Sequence, residues 1–210
     1  MCKSIPINPQ SPNKSELQRA VKVIQNGGIV MFPTDTLYGL AVDPRNRNAI
    51  ERLFAVKGRT PEDAVPMICA DLKQVEREVG LMPDLAIKLS RLFWPGPLTM
   101  VLDGNGSMAK NGISLDGSVG VRVSSHPVAT ALANAAGHPI TATSANLSGE
   151  TAPQSVTEAS RLILESVDLI LDAGKVPGGL PSTIVDVRAN SVRLIRAGAI
   201  PWVDVLNSIN

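Results

Sequence analysis

Short apolar runs of strand-forming residues alternate with helical segments along this chain, and this alternation limits the possible fold more than any other feature. The candidate strands early in the chain are residues 29–32, 65–70 and 98–102. Apolar residues recur at helical spacing over residues 15–26, 48–56, 83–93 and 127–136. Strands separated by amphipathic helices are typical of layered α/β folds. The pattern therefore predicts an α/β fold (α+β in some schemes) with a twisted mixed sheet.

The later part of the chain continues this alternation with a larger share of turn residues. Further strands are predicted at 119–123, 139–143 and 169–171, and a last large helix at 155–165. Residues 103–118 and 174–181 are rich in Gly, Pro, Asn and Ser, so both are predicted loops, and the second has the composition of a lid. Residues 182–187 and 191–195 are predicted to form a hairpin.

The composition agrees with one domain built on an aliphatic core. Of the 210 residues 44% are hydrophobic, but only 3% are aromatic, so the core must consist mainly of Val, Ile, Leu and Ala. The chain has no internal repeat and no long linker. We predict an extended N-terminal lead-in over residues 1–12, which hold three prolines, and one domain over residues 13–210.

Charge and cysteine content exclude several classes of protein. The formal net charge is +1, so no overall field attracts nucleic acid or membrane. The chain has two cysteines, Cys2 and Cys69, which cannot form a zinc site by themselves and are not expected to form a disulfide. No run of about 18 apolar residues and no signal-peptide core occur. These features predict a cytoplasmic protein without a membrane segment or a protein-bound metal.

Two cations follow the predicted helix 48–56, in the sequence Lys57-Gly58-Arg59. A structural explanation is that cations at a helix C-terminus complement the helix dipole. The functional explanation is an anion clamp, because Arg offers a planar fork of donors and Lys a point charge. Ser144-Ala145-Asn146 follows the predicted strand 139–143, and it is either a simple turn or a ligand contact at a strand end.

A third polar segment, Thr34-Asp35-Thr36, follows the first buried run. It could cap the next element, or its two hydroxyls and carboxylate could bind an amino group or hydroxyl of a small substrate. Asp35 could also hold a hydrated Mg²⁺ through water. The chain has no P-loop, no Gly-rich dinucleotide fingerprint and no hydrolase nucleophile elbow, so a nucleotide site must be of another type.

Seven segments in a fixed order resemble the YrdC-like family, which includes the threonylcarbamoyl-AMP synthases that begin N6-threonylcarbamoyladenosine (t6A37) formation in tRNA. The segments are GGIVMFPTDTLYGLAVD, FAVKGR, LFWPGPLTMVL, VGVRVSSHPVA, ITATSANLSG, LPSTIVDV and LIRAGAI. The resemblance covers residues 27–199 and implies helices and a twisted sheet around a large concave basic cavity. It also implies an enzyme of the stand-alone type that converts L-threonine, bicarbonate and ATP, with Mg²⁺, to threonylcarbamoyl-AMP and pyrophosphate.

The resemblance implies roles for ten residues. By position in the motifs, the pair that holds phosphates and acts in catalysis is Lys57 and Arg59. Those expected at the nucleotide are Arg59, Ser118, Ser144, Asn146 and Arg196. Those expected at L-threonine are Thr36, Arg122, Thr143 and Ser182, with Arg122 suited to the carboxylate.

The family also implies partners and leaves rival functions open. A short-lived product implies a downstream threonylcarbamoyl transferase complex, and tRNA could bind through the basic cavity. Hydrogenase-maturation carbamoyltransferases share the domain but carry zinc-finger cysteines that this chain does not have. A divergent paralogue without synthase activity is a closer rival, since Ile68 replaces a His of some relatives and the stretch around Asp63 is more acidic than the common form. A non-catalytic RNA-binding module is the rival from another class, although stacking aromatics are scarce.

Overall fold

A computed structural model describes residues 3–58, 65–104, 116–189 and 191–209. The α-helices in these ranges are α1 Lys14–Gln25, α2 Arg47–Lys57, α3 Leu72–Glu78, α4 Asp84–Phe93, α5 Pro127–Ala136, α6 Arg161–Ser166 and α7 Trp202–Ile209. The strands are β1 Lys3–Pro6, β2 Val30–Phe32, β3 Gly39–Ala41, β4 Met67–Cys69, β5 Leu98–Asp103, β6 Ser118–Val123, β7 Ile140–Thr141, β8 Thr143–Ser144, β9 Leu169–Asp172, β10 Thr183–Asp186 and β11 Arg193–Arg196. None of these helices has the length and apolar character needed to cross a membrane.

The strands form two mixed sheets. The first has the order β1-β9-β2-β3-β8, and the second has the order β11-β10-β5-β6-β4-β7. The predicted lead-in over residues 1–12 contains β1, which pairs in parallel with β9. The predicted mixed α/β architecture is confirmed, and the structure divides its strands between two sheets.

The predicted strand over residues 139–143 is the point where the two sheets meet. It is not one strand: β7 pairs with β4 of the second sheet, whereas β8 pairs with β3 of the first. Ala142 lies between them, and its backbone N–H donates to Pro66 O at 2.8 Å. The single-strand prediction was wrong because one apolar run supplies a short edge to each sheet.

The helices form where apolar spacing and end caps agree. In α1, the apolar residues Leu17, Ala20, Val21 and Ile24 are buried along one face. Asn46 is the N-cap of α2, and its side chain accepts a hydrogen bond from Ala49 N at 3.2 Å. The helix ends at Gly58, which has a φ of 63° and adopts the left-handed conformation that closes many helices.

Two apolar clusters hold the sheets and helices together. One contains residues of β1, β2 and β9 with α1 and α5, which pack on each other. The other is larger and contains residues of α2, α4 and α7 together with β5, β6 and β10. Most of the described residues in both clusters are Val, Ile, Leu and Ala, which agrees with the predicted aliphatic core, although the largest fully buried side chains among them are Tyr38 and Phe32.

The predicted helix over residues 155–165 is interrupted. A 3₁₀ turn at Val156–Glu158 ends at Ala159, which is extended. Ser160 then begins α6 as its N-cap, with its side chain accepting from Ile163 N. The prediction of helical structure was correct in part, but Ser160, the N-cap of α6, divides the segment into a 3₁₀ turn and a short α-helix. Nor is this the last helix, because α7 follows it.

Candidate active site

A polar cavity with a volume of about 110 Å³ lies between the two sheets. Six of the ten residues to which the resemblance gave roles line it. They are Thr36, Arg122, Thr143, Ser144, Ser182 and Arg196. These residues come from five separate segments of the chain, so the fold brings together what the sequence spreads over 160 positions.

The Thr34–Thr36 segment forms one wall through its own hydrogen bonds. The Thr34 hydroxyl donates to Leu37 O at 2.6 Å and accepts from the backbone N–H groups of Thr36 and Leu37, each at 3.2 Å. The hydroxyls of Thr34 and Thr36 are 3.1 Å apart. Thr34 thereby fixes the turn that presents Thr36 to the cavity.

Gly39 allows the strands below this wall to approach closely. A Cβ at Gly39 would lie 3.2 Å from Phe32 Cε1 and 3.4 Å from Thr143 O. Gly39 also pairs with Ser144 in the antiparallel β3–β8 ladder. The absence of a side chain therefore keeps Thr143 and Ser144 at the cavity surface.

Arg122 reaches the cavity from β6 and forms a buried ion pair. Its Nη1 donates to Asp35 Oδ1 at 2.6 Å, and the two side chains are only 6% and 7% exposed. The Ser124 hydroxyl donates to the same carboxylate oxygen at 2.5 Å, and the Ser125 hydroxyl donates to Oδ2 at 3.3 Å. Asp35 is thus the partner of the arginine expected at the threonine carboxylate.

The pKa of Asp35 lies below its ordinary value. Burial opposes ionisation of this carboxyl, but the charge of Arg122 and the hydrogen bond from Ser124 outweigh that effect. Asp35 is consequently a carboxylate at neutral pH. The sequence indicated a polar segment here but gave no sign that Asp35 pairs with a residue 87 positions away.

Ser182 and Arg196 form the opposite wall. The Thr99 hydroxyl donates to Ser182 Oγ at 2.9 Å. Arg196 Nη2 donates to Ser182 O at 2.8 Å and to its Oγ at 3.1 Å. These contacts join β5, β10 and β11 at the edge of the cavity and place an arginine beside the serine expected at threonine.

Lys57 lies against the backbone of Ser144–Asn146. It is 1% exposed, and its Nζ donates to Ser144 O at 2.5 Å and to Asn146 O at 2.7 Å. It is not among the described residues that line the cavity. The two predicted motifs are therefore in direct contact, with Lys57 supporting the backbone of the turn that carries Ser144.

Asn146 completes this turn. Its Nδ2 donates to Glu150 O at 2.7 Å and to Leu147 O at 2.9 Å, while its Oδ1 lies 3.4 Å from Lys57 Nζ. Ser148 N also donates to Lys57 O at 3.0 Å. The end of α2 and the segment after β8 are consequently one hydrogen-bonded unit.

Ser118 lies at the other end of β6, four residues before Arg122, which corresponds to about 13 Å along a strand. Its hydroxyl donates to Asp116 Oδ1 at 2.5 Å, and Asp116 Oδ2 accepts from Arg188 Nη1 at 2.9 Å. Asp186 binds both Arg188 and Arg193. Hydrogen bonds from these arginines lower the pKa of Asp186 to about 2.

Tyr38 and the loop 174–181 are connected to the cavity wall in a way that the sequence did not indicate. The Tyr38 hydroxyl donates to Gly174 O at 2.8 Å and accepts from Ala173 N at 3.0 Å. Gly178 N donates to Thr36 O at 2.9 Å. The loop predicted as a lid is thus bonded to the segment that presents Thr36.

Arg59 and Asp63 fall outside the described residues. Within the described ranges, no group of three or more His, Cys, Asp and Glu side chains is arranged to hold a metal ion. Ile68 is fully buried in β4, where it lies in register with Arg122 and belongs to the apolar cluster that includes Phe32 and Val128.

The comparisons with known proteins agree with this geometry. The Sua5/YciO/YrdC family model, described as telomere recombination, matches residues 22–198. The threonylcarbamoyl-AMP synthase of Vibrio vulnificus is 36% identical over 186 residues, which cover 88% of this chain and 99% of the relative. The synthase of Pyrococcus abyssi is 32% identical over 90% of this chain, which spans only 56% of that longer relative.

Solved structures give the same result. The structure of P. abyssi Sua5 complexed with L-threonine superposes with a TM-score of 0.88 at 30% identity, covering 98% of this chain and 60% of that one. Escherichia coli YciO superposes with a TM-score of 0.86 at 28% identity, covering 96% of this chain and 98% of that one. Because these similarities extend over most of its length, this chain belongs to the Sua5/YciO/YrdC family.

Proposed function

We propose that this chain is a threonylcarbamoyl-AMP synthase, a nucleotidyltransferase that converts L-threonine, bicarbonate and ATP to threonylcarbamoyl-AMP, pyrophosphate and water. The observation that carries the proposal is the cavity that Thr36, Arg122, Thr143 and Ser182 share with Ser144 and Arg196. The names of the Vibrio and Pyrococcus relatives support the same reaction.

The reaction requires positioning and charge stabilisation rather than a protein nucleophile. The threonine amine attacks the bicarbonate carbon, and loss of water leaves a carbamate. A carbamate oxygen then attacks the α-phosphorus of ATP, and the bond to the β-phosphate oxygen breaks, so pyrophosphate leaves with the electron pair. Negative charge grows on phosphate oxygens, which prepositioned donors stabilise.

The threonine half of the site is the buried wall of the cavity. Arg122 binds the substrate carboxylate, because a guanidinium offers paired donors to a planar anion. The hydroxyls of Thr36 and Ser182 and the segment at Thr143 surround the rest of the amino acid. All four side chains are buried and held by neighbouring strands, which limits their reorganisation on binding.

The nucleotide half is the turn at residues 144–146 with Arg196. Ser144 and Asn146 hold ATP, and Lys57 acts on the nucleotide through the turn that it supports. Arg59 and Ser118 complete the phosphate and nucleotide contacts. Mg²⁺ enters as the counter-ion of ATP, since this ion needs few protein ligands and keeps much of its water.

The product is a reactive mixed anhydride and has to be sheltered and passed on. The loop 174–181 borders the cavity at Pro181 and closes over the bound intermediate. A downstream threonylcarbamoyl transferase complex consumes the product to modify tRNA, and any direct tRNA contact is made at the basic rim that includes Arg196. The reaction takes place in the cytoplasm.

The test is pyrophosphate release from ATP and Mg²⁺, with threonine and bicarbonate omitted in turn. We expect release to require both compounds, and mass spectrometry to detect threonylcarbamoyl-AMP in the complete mixture. Threonine-independent release, or ATP binding without release in any mixture, would instead identify a divergent paralogue. Salt-sensitive RNA binding without ATP binding would identify an RNA-binding module.

A further inference from the structure

We infer that Asp35 is a positioning residue that fixes the Arg122 guanidinium for the carboxylate of the amino-acid substrate. This inference rests on the proposed function and adds a residue to it. Asp35 lies in the connection between β2 and β3 of the first sheet, whereas Arg122 lies in β6 of the second sheet. Their ion pair is therefore a direct link between the two sheets.

The hydrogen bonds of Asp35 point to support rather than to substrate contact. Its Oδ1 accepts from Arg122 Nη1 at 2.6 Å and from Ser124 Oγ at 2.5 Å, and its Oδ2 accepts from Ser125 Oγ at 3.3 Å. Arg122 lines the cavity, and Asp35 is not among the described residues that do. The arginine, and not the carboxylate, therefore reaches the cavity surface.

This arrangement leaves part of the guanidinium available. An arginine has five N–H donors in a fixed fork. Within the described ranges, the hydrogen bond of Arg122 is made by Nη1, so the remaining edge of the fork can face a carboxylate in the cavity. A rigid fork loses less conformational freedom on binding than a mobile one, which strengthens recognition.

Ser124 contributes to the same positioning of Arg122, through its hydrogen bond to Asp35. It is 1% exposed, and its hydroxyl also accepts from His126 N at 3.2 Å, just before α5 begins. The turn that starts α5 therefore fixes the rotamer of Ser124, which fixes the carboxylate of Asp35. A chain of three side chains leads from a helix start to the arginine at the substrate.

The experiment compares Asp35→Asn and Ser124→Ala with wild type. We expect Asp35→Asn to raise the KM for L-threonine about tenfold or more and Ser124→Ala about threefold to tenfold, with the KM for ATP within about twofold of wild type. L-threonine affinity measured by calorimetry should fall by the same factors. Ser124→Ala retains the ion pair, so it tests the inference even if Asp35→Asn does not fold.

Asp43→Asn is the matched control. Asp43 is also a buried carboxylate with an arginine partner, Arg45, and its pKa is likewise lowered, despite burial, by hydrogen bonds from that arginine. It is not among the described residues at the cavity. We expect its variant to lose stability without a change in KM for threonine. Equal rises in KM for threonine and ATP in Asp35→Asn, or an unchanged KM for threonine, would overturn the inference.

A second readout needs no substrate and separates this inference from the proposed function. NMR of the arginine side chains should give separate Nη signals for Arg122 in wild type and averaged signals in Asp35→Asn, because the ion pair restricts rotation of the guanidinium. Averaged signals in wild type would refute the positioning. If threonine is not required for pyrophosphate release, the proposed function fails, while this measurement still decides whether Asp35 holds Arg122.

Discussion

Two arginine–aspartate pairs involve residues of the second sheet, and they differ in surroundings and in number of partners. At the cavity, Arg122 and Asp35 are 6% and 7% exposed. In the other pair, Arg188 and Asp186 are 25% and 11% exposed, and Arg193 and Asp116 join them. The first pair is a buried contact between the two sheets, whereas the second is part of a four-residue network nearer the surface.

The difference in burial predicts that the two ion pairs respond differently to the loss of one partner. A buried pair gains little net stability from its own attraction because both charges lose water, but removing one partner leaves the other charge stranded. A network near the surface keeps solvent and alternative partners, so losing one member costs less. We therefore expect the cavity pair to be the more sensitive of the two, in stability as well as in function.

Among the variants that test this difference, Arg122→Ala has the largest expected effect. It should destabilise the fold by about 3–5 kcal/mol, because Asp35 is left as a buried unpaired charge, and should abolish threonine-dependent turnover. Urea denaturation and the pyrophosphate assay measure the two effects. The double variant Arg122→Ala with Asp35→Asn should regain much of the stability but no activity. A double variant as unstable as the single one would contradict this explanation.

Lys57→Met extends the comparison to a buried cation whose ammonium donates to backbone carbonyl groups. The variant leaves Ser144 O and Asn146 O without the ammonium, so we expect a loss of about 1–3 kcal/mol in unfolding free energy. Turnover should fall because the turn at residues 144–146 loses its support. Unchanged turnover in a folded variant would separate Lys57 from the nucleotide site.

Asp186→Asn tests the surface network and its dependence on pH. The pKa of Asp186 is lowered to about 2, so its stabilisation is complete above its unfolded value near 4 and is lost as the pH falls towards 2. We expect the variant to lose about 1–2 kcal/mol at neutral pH, since solvent screens the network. Wild-type stability should then fall more steeply than that of the variant between pH 4 and 2 in acid titrations followed by circular dichroism, while the KM for threonine stays constant.

Arg161→Ala gives the lower limit of the series. Arg161 Nε binds Glu165 Oε1 at 2.6 Å on the surface of α6, but the side chains are 89% and 57% exposed. Such pairs contribute about 0.3–0.5 kcal/mol, and salt weakens them. Thermal unfolding at low and high salt should show a small difference that disappears at high salt. A loss above that of Asp186→Asn would show that exposure does not order these pairs.

The sequence predicted well the elements with strong local signals. α5 has the predicted bounds, α4 differs by one residue at its start, and α1 and α2 differ by one residue at each end. Each carries regular apolar spacing with a clear start or stop. The short elements β3 and α3 were missed because three to seven residues hold too little periodicity to outweigh the turns around them.

The site was predictable as a set of residues but not as a geometry. The motif resemblance pointed to Thr36, Arg122, Thr143 and Ser182, and the structure brings them to one cavity. It could not indicate the contact between Asp35 and Arg122, which depends on how two sheets meet. Nor could it indicate that the Lys57 ammonium donates to the backbone of the turn at residues 144–146. Every residue supplies a backbone carbonyl, so such a hydrogen bond leaves no pattern in the sequence.

The hydrogen bond from Gly178 N to Thr36 O has a consequence for how a family of such enzymes can diverge. Because the loop 174–181 is attached to the wall that presents Thr36, a change in loop sequence can shift a group that faces the cavity without altering any residue of the wall. Under the proposed function, a substitution in the loop would then change the affinity for the amino acid. Conserved cavity residues alone would therefore be a poor guide to how tightly two relatives hold the same substrate.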